Sequence, residues 1–276
     1  MRGGIVDTAA RRWLFVLVLG AGALGGGLYY FNRSGQPKIP PSSPVAVTPA
    51  PADAAPEHYP VPSAPTEPDA PAEPLPELDQ SDAYMLQALL ALAGVQGLED
   101  LIYPEHLVQR LVASIDALSR PKVGEPSMVL KPVPGPFTVA GPDDGRVLDP
   151  ANYRRYARYA EIAERIDAKA VVALYVRLYP LFQQSYRQLG YADAQFNDRL
   201  VQVIDHLLQA PIAPQPVPLA HESVFYTFAD AELEGRSSGH KALMRMGPEN
   251  ADRIKAKLRQ IRAELVAQAE KAKASR

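Results

Sequence analysis

The sequence contains no cysteine. This absence excludes disulfide bonds, thiolate catalysis and cysteine-ligated metal sites. The chain also lacks a Walker phosphate loop, a dinucleotide-binding glycine fingerprint and the G-x-S-x-G elbow of serine hydrolases. Its five histidines are isolated and form no ligand pair such as H-x-H or H-E-x-x-H. Motifs therefore predict no catalytic residue, no metal and no cofactor.

The chain also has little net charge, and that charge is unevenly distributed. The total of −2 combines net +3 in residues 1–33, net −6 in residues 34–80 and net +1 in residues 81–276. A nucleic-acid-binding domain needs a strongly basic face, which a near-neutral C-terminal region does not provide. We therefore expect no nucleic-acid partner.

The longest apolar run is found near the N-terminus. Residues 13–31 form nineteen consecutive positions without a charge, which a helix would extend to about 28 Å, close to the bilayer core. Trp13 and the aromatic residues 29–31 suit the two membrane interfaces, and three preceding arginines favour a cytoplasmic N-terminus. The pattern predicts a cytoplasmic tail at 1–12 and a single transmembrane helix at 13–31, with the rest of the chain outside the cytoplasm.

A cleaved signal peptide is the alternative interpretation of this run. Residues 13–20 would be its apolar region, and the small residues 21–23 resemble a cleavage site. Within the predicted span, Gly22 and Gly26 form a G-x-x-x-G pair, which lets two membrane helices approach closely. Two interpretations remain open: these glycines mediate dimerisation, or the span is simply rich in glycine.

A proline-rich acidic linker follows the apolar run. Residues 34–80 contain 14 of the 28 prolines and almost no large apolar side chains. Such a segment buries too little surface to offset the entropy of ordering, so we predict a disordered linker over 32–80. In polyproline II conformation it would extend by about 3.1 Å per residue.

Apolar residues recur at helical spacing through residues 81–272, which predicts a mainly α-helical, multi-helix C-terminal domain. The predicted helices cover 81–94, 104–118, 149–163, 168–189, 193–209, 230–235, 237–246 and 248–272. Seven prolines and four glycines interrupt this pattern at 120–150, so we expect an irregular excursion there. It includes a small β-hairpin between 137–139 and 146–148, and residues 221–228 are also β-prone.

Four long sequence blocks in this domain are similar to a known family. They are LDPANYRRY (148–156), YVRLYPLFQQSYRQLGY (175–191), FNDRLVQVIDHLLQAP (196–211) and the block 228–265 that begins FADAELEG. The chain resembles, over roughly 78–265, the domain of unknown function 3014 of Gram-negative bacterial proteins, with Ala192 standing where we expect proline. The resemblance implies an envelope-anchored bacterial protein and supplies no activity or catalytic residue.

One cluster of polar residues falls on the helix predicted at 193–209. It consists of Asn197, Asp198, Arg199, Asp205 and His206. Aspartate and histidine perform acid–base chemistry when they share a site, but neighbouring helix positions do not face each other. We therefore treat these residues as a candidate binding cluster, with a polar helix edge as the alternative.

A second candidate is a row of tyrosines. Tyr153, Tyr156 and Tyr159 recur every three residues, and exposed tyrosines anchor protein partners or stack on sugars. Helix packing is the alternative, and of the three we expect Tyr159 to be the most exposed.

These observations predict an uncharacterised single-pass protein of the bacterial inner membrane that presents a helical domain in the periplasm. A protein-interaction adaptor with an envelope protein partner is the leading hypothesis, and homodimerisation remains open. A peptidoglycan-binding module is the second hypothesis, which predicts a tyrosine-lined groove. An unrecognised hydrolase is the third, which predicts a deep pocket beside Asp198, Asp205 or His206.

Overall fold

The computed structural model describes residues 57–62, 74–94, 99–122, 128–222 and 225–275. The predicted cytoplasmic tail, the predicted membrane helix and the glycine pair Gly22 and Gly26 all lie outside these residues. Within the described ranges, no helix is both long enough and apolar enough to span a bilayer.

The described residues fold mainly into α-helices, which confirms the predicted class. The helices are α1 (Asp82–Ala93), α2 (Leu107–Ala117), α3 (Ala151–Arg165), α4 (Ala168–Gln188), α5 (Phe196–Leu208), α6 (Ala231–Glu234), α7 (Ser238–Arg245) and α8 (Pro248–Ala274). A short 3-10 helix, Leu78–Gln80, precedes α1. Four short strands form two antiparallel hairpins: β1 (Val139–Ala140) with β2 (Val147–Leu148), and β3 (Leu219–Glu222) with β4 (Phe225–Phe228).

The longest helix, α8, organises the core. It packs against α3, α4, α5 and α7. Its apolar side chains Ile254, Leu258, Ile261 and Leu265 recur at intervals of three and four residues, so they lie on one face, and all are buried. Two buried lysines on α8 also brace its neighbours, since Lys255 Nζ donates to Ala210 O and Lys257 Nζ donates to Ile166 O, each at 2.5 Å.

The predicted hairpin in the excursion is present, and it is joined to the second hairpin. A bridge pairs Val147 with Pro218, and Leu148 N donates to Val217 O at 2.9 Å. The two hairpins enclose a second, smaller apolar cluster that contains Leu148, Val217 and Phe228. The β-prone residues 221–228 are therefore parts of two paired strands, not one strand.

The described part of the excursion, 120–122 and 128–150, packs onto the helices. Val129 and Leu130 are fully buried in the main core. Arg155 on α3 holds the proline-rich turn in place, because its guanidinium donates to the carbonyl oxygens of Val133, Pro134 and Gly135 at 2.8–3.1 Å. One charged side chain thus satisfies three backbone acceptors that proline-rich sequence leaves unpaired.

Helix α2 begins at Leu107, not at Pro104 as predicted. His106 adopts a left-handed conformation with φ of 54°. The carboxylate of Asp82, at the start of α1, accepts hydrogen bonds from the backbone N–H groups of His106 and Leu107 at 2.8 Å. The cap of this helix therefore comes from another helix, which sequence periodicity does not reveal.

The predicted linker at 32–80 does not remain open along its whole length. Residues 57–62 lie against the helical domain, and in residues 74–80 the side chain of Leu78 is buried in the core. Ser81 donates its hydroxyl to Leu78 O at 2.7 Å and does not cap α1. The expectation of an uninterrupted disordered linker is therefore wrong for these two stretches.

Candidate functional site

Residues 57–62, which we call the strap, are bound by the first turn of α5. The backbone N–H of Tyr59 donates to Asp198 Oδ1 at 2.7 Å, and Asn197 Nδ2 donates to Tyr59 O at 2.8 Å. His58 Nδ1 lies 2.8 Å from Asp198 Oδ2. Two adjacent side chains of α5 thus satisfy both backbone polar groups of one strap residue.

The tyrosine ring anchors the strap in the core. Tyr59 is only 7% exposed and belongs to the main apolar cluster, which Val61 also contacts, and Pro60 is buried. The Tyr59 hydroxyl donates to Glu57 Oε2 at 2.7 Å, and Lys273 Nζ near the end of α8 lies 6.0 Å from the ring centroid. Burial, together with the hydrogen bond to Glu57, raises the pKa of Tyr59 to about 12, so the hydroxyl stays protonated at physiological pH.

Asn197 is buried and is not hydrogen-bonded to capacity. It is 2% exposed, and its Oδ1 atom has no hydrogen-bond partner among the residues that the structure describes. A buried unpaired acceptor costs free energy.

Arg199 belongs to a separate, structural cluster. Its Nε donates to Asp116 Oδ1 at 2.8 Å, and its NH2 nitrogen donates to Asp116 O and to Ser119 Oγ. Asp116 is 2% exposed and also accepts from Arg120 and from the Tyr191 hydroxyl. This buried ion pair fixes α5 to α2 and does not face the strap.

Asp205 is neutralised by the last helix. The guanidinium of Arg262 on α8 donates to both of its carboxylate oxygens. This hydrogen bonding raises the pKa of Arg262 above its ordinary value. Asp205 and Asp198 thus have different partners and do not form an acid–base pair.

His206 lies at the contact between α5 and α7. Its ring stacks on that of His240 with a centroid distance of 4.1 Å, and its Nε2 lies 2.7 Å from Ser237 Oγ. Burial lowers the pKa of both histidines, so the neutral forms are favoured.

The Ser237–His206 contact is a helix-capping arrangement. Ser237 caps α7 by accepting from His240 N at 3.2 Å. In the described ranges no carboxylate hydrogen-bonds to either imidazole ring, and no group of three or more metal-ligating side chains forms. The orienting acid that a serine–histidine pair needs for nucleophilic chemistry is therefore not found in this part of the chain.

The predicted tyrosine row does not form an exposed groove. Tyr156 and Tyr159 are buried, and burial raises the pKa of each. Tyr153 is half-buried and donates its hydroxyl to Gln215 Oε1 at 3.1 Å. The expectation that Tyr159 is the most exposed of the three is wrong, because α3 packs extensively on α8.

Two open clefts among the described residues lie away from these side chains. One has a volume of about 440 Å³ and lies between α2 and the end of α4, beside Arg110 and Leu189. The other has a volume of about 380 Å³ and lies beside Ile166 and Lys257. None of the candidate polar residues lines either cleft, so these clefts do not provide the pocket that the hydrolase hypothesis predicts.

The strap itself was missed by sequence reasoning. One signal was available: Tyr59 is a large aromatic residue in a segment that otherwise carries mainly proline, alanine, serine and acidic residues. Such an isolated aromatic residue indicates an anchoring point in an otherwise open segment.

Comparison with known proteins identifies a family. A family model described as "Protein of unknown function (DUF3014)" matches residues 107–262. No curated protein and no solved structure matches the chain.

Proposed function

The chain belongs to the DUF3014 family of proteins of unknown function, and we propose that it is a tethered protein-interaction adaptor of the bacterial envelope. In this proposal residues 13–31 anchor the chain in the inner membrane as a single helix. The helical domain faces the periplasm and binds a protein partner there.

One observation carries the interaction role: the helical domain binds a proline-flanked segment that has neither helical nor strand structure. The side chains of Asn197 and Asp198 pair with the backbone of Tyr59, and the core receives the Tyr59 ring. Peptide-recognition domains use the same division, in which main-chain hydrogen bonds hold the peptide and side-chain pockets select it. A buried tyrosine is also a typical anchor of protein interfaces.

The membrane attachment is supported by the sequence. The uncharged run at 13–31 has the length of a bilayer core and is preceded by three arginines. The cysteine-free chain offers a direct test with Ser275→Cys, an exposed position at the end of the domain. We expect a membrane-impermeant maleimide to label this variant in cells with a permeabilised outer membrane. Labelling that requires lysis of the inner membrane would contradict the periplasmic placement.

The adaptor is favoured over the peptidoglycan-binding module. Sugar stacking needs exposed aromatic rings, whereas in the predicted tyrosine row Tyr156 and Tyr159 are buried and Tyr153 is half-buried.

Photo-crosslinking in living cells tests the adaptor. A photoreactive residue is placed at Gln202 on α5 or at Arg259 on α8, both exposed, and a control probe is placed at exposed Arg154 on α3. We expect a discrete protein adduct from the α5 and α8 probes that is weaker from the control. Equal labelling from all three sites, or retention on isolated peptidoglycan without a protein adduct, would reject the adaptor.

A further inference from the structure

We propose that the groove between the first turn of α5 and the end of α8 is a binding site for extended peptides with the pattern acidic residue, any residue, tyrosine, proline. The strap is the resident ligand of this site, and a partner peptide of the same chemistry displaces it. The inference rests on the proposed function, because it names the ligand class through which the adaptor binds its partner.

Backbone recognition is the first part of the argument. Asp198 accepts the N–H of Tyr59 and Asn197 donates to its carbonyl oxygen, at 2.7 and 2.8 Å. These bonds do not depend on the strap's side chains, so any peptide that presents a residue in this conformation makes them. The bond to the Asp198 carboxylate is charge-assisted and therefore stronger than a neutral one.

Side-chain selection is the second part. The Tyr59 ring is buried in the core, and its hydroxyl is paired by Glu57, two residues earlier. A phenylalanine would lack this pairing, and a ligand without the acid would leave the hydroxyl without the partner that Glu57 gives it. The ammonium group of Lys273 near the ring adds a cation–π attraction. Proline follows the tyrosine at a buried position, which fixes the backbone at the exit of the groove.

The third part of the argument is that a partner peptide can replace the strap. The contact between His58 and Asp198 lies at the rim, where the histidine side chain is 52% exposed, and such exposed polar contacts contribute little free energy. The strap contacts the domain through one anchoring ring, two backbone bonds and its flanking residues, which is a small interface for an ordered segment.

The strap also protects the groove from weak ligands. Only eleven residues, 63–73, separate it from the next described segment. A ligand that belongs to the same chain as its site competes intramolecularly, at an effective concentration on the order of 1 mM when the connection is short. A free peptide at micromolar concentration therefore competes poorly until the strap is disabled or the peptide binds more tightly.

The test uses the full chain and a fluorescein-labelled peptide of residues 54–64, with binding followed by fluorescence anisotropy. Three forms are compared: the natural chain, Tyr59→Ala, and Tyr59→Ala combined with Asp198→Ala. We expect Tyr59→Ala to bind the peptide at least about tenfold more tightly than the natural chain, because the tethered competitor is lost. Adding Asp198→Ala should weaken peptide binding at least about tenfold relative to Tyr59→Ala alone. A peptide in which alanine replaces the tyrosine is the matched control.

The proposal is overturned if Tyr59→Ala binds no more tightly than the natural chain while it still unfolds cooperatively. Equal binding of the control peptide also overturns it. If Asp198→Ala unfolds the domain, Asp198→Asn, which keeps an acceptor and removes the charge, replaces it. Peptide binding without a cellular adduct would reject the adaptor but keep the site, whereas an adduct without peptide binding would reject only the site.

Discussion

Removing the carboxylate of Asp198 is expected to release the strap while the helical domain stays folded. In the Asp198→Ala variant the Tyr59 N–H loses its acceptor and the His58 ring loses its partner. The loss of the hydrogen bond from the Tyr59 N–H matters most, because this bond is short and part-buried whereas the contact with the His58 ring is largely exposed.

The magnitude follows from these two contacts. A hydrogen bond to a charged acceptor contributes about 1.5–3 kcal/mol, and a surface ion pair adds at most about 1 kcal/mol. The free energy of strap opening should therefore fall by about 2–3 kcal/mol. This change corresponds to a rise of roughly 30- to 150-fold in the open population.

Hydrogen exchange at the Tyr59 amide measures this opening directly. Pro60 and Pro62 have no amide hydrogen, so few strap amides contribute to the signal. We expect Tyr59 exchange to accelerate by the calculated factor, while the amides of α8 keep their protection. Asp193→Ala, an exposed acid just before the same helix, is the matched control and should leave Tyr59 unchanged.

Two results would refute the reasoning. Unchanged Tyr59 exchange in the folded Asp198→Ala variant would mean that the carboxylate does not hold the strap. An equal loss of protection throughout α8 would mean that the strap unfolds together with the core and is not a separable ligand.

Three further predictions concern the stability of the domain. Asp116→Ala and Arg199→Ala should each lower the free energy of unfolding, measured in urea, by about 3 kcal/mol. The double variant should lose at least about 1 kcal/mol less than the sum of the two single losses. Strict additivity of the losses would contradict the buried pairing of the two side chains. Gly239→Ala places a Cβ atom 2.4 Å from a leucine methyl group of α5. The variant should therefore lose about 1–3 kcal/mol of unfolding free energy and unfold at a lower temperature. An unchanged thermal midpoint would show that α7 shifts freely. The pKa of His240 is lowered in the folded state by burial, so its contribution to stability is complete above the ordinary histidine pKa of about 6.5 and is lost as pH falls below it. Unfolding measured from pH 7 to pH 5 should show a shallower decline in His240→Gln, and an unchanged slope would assign the pH dependence to other groups.

The local elements were largely predictable from the sequence. The N-cap of α7 at Ser237 and the left-handed Gly94 after α1 are found as their residue types predict. Both depend on hydrogen bonds within four residues, which propensity and spacing describe well. The start of α2 was not predictable in this way, because its capping carboxylate, Asp82, lies 24 residues before His106.

The candidate site was only partly predictable. Polar spacing singled out Asn197, Asp198 and Arg199, but not that the first two bind the strap and the third binds Asp116. Nor does a spacing of three residues decide which tyrosine of α3 is buried, since that depends on the helices packed around it. Burial of Tyr159 against the main core reversed the expectation of exposure.

The sequence by itself determined the helical periodicity, the local helix ends, the uncharged run at 13–31 and the lack of catalytic or metal motifs. The tertiary structure alone decided that Tyr59 meets Asp198, 139 residues further along the chain. Helix formation and capping are set by neighbours within about one turn, so the order of the residues records them. Docking of a distant segment depends on the path of the whole chain, because a contact of this kind must offset the entropy of ordering everything that it joins.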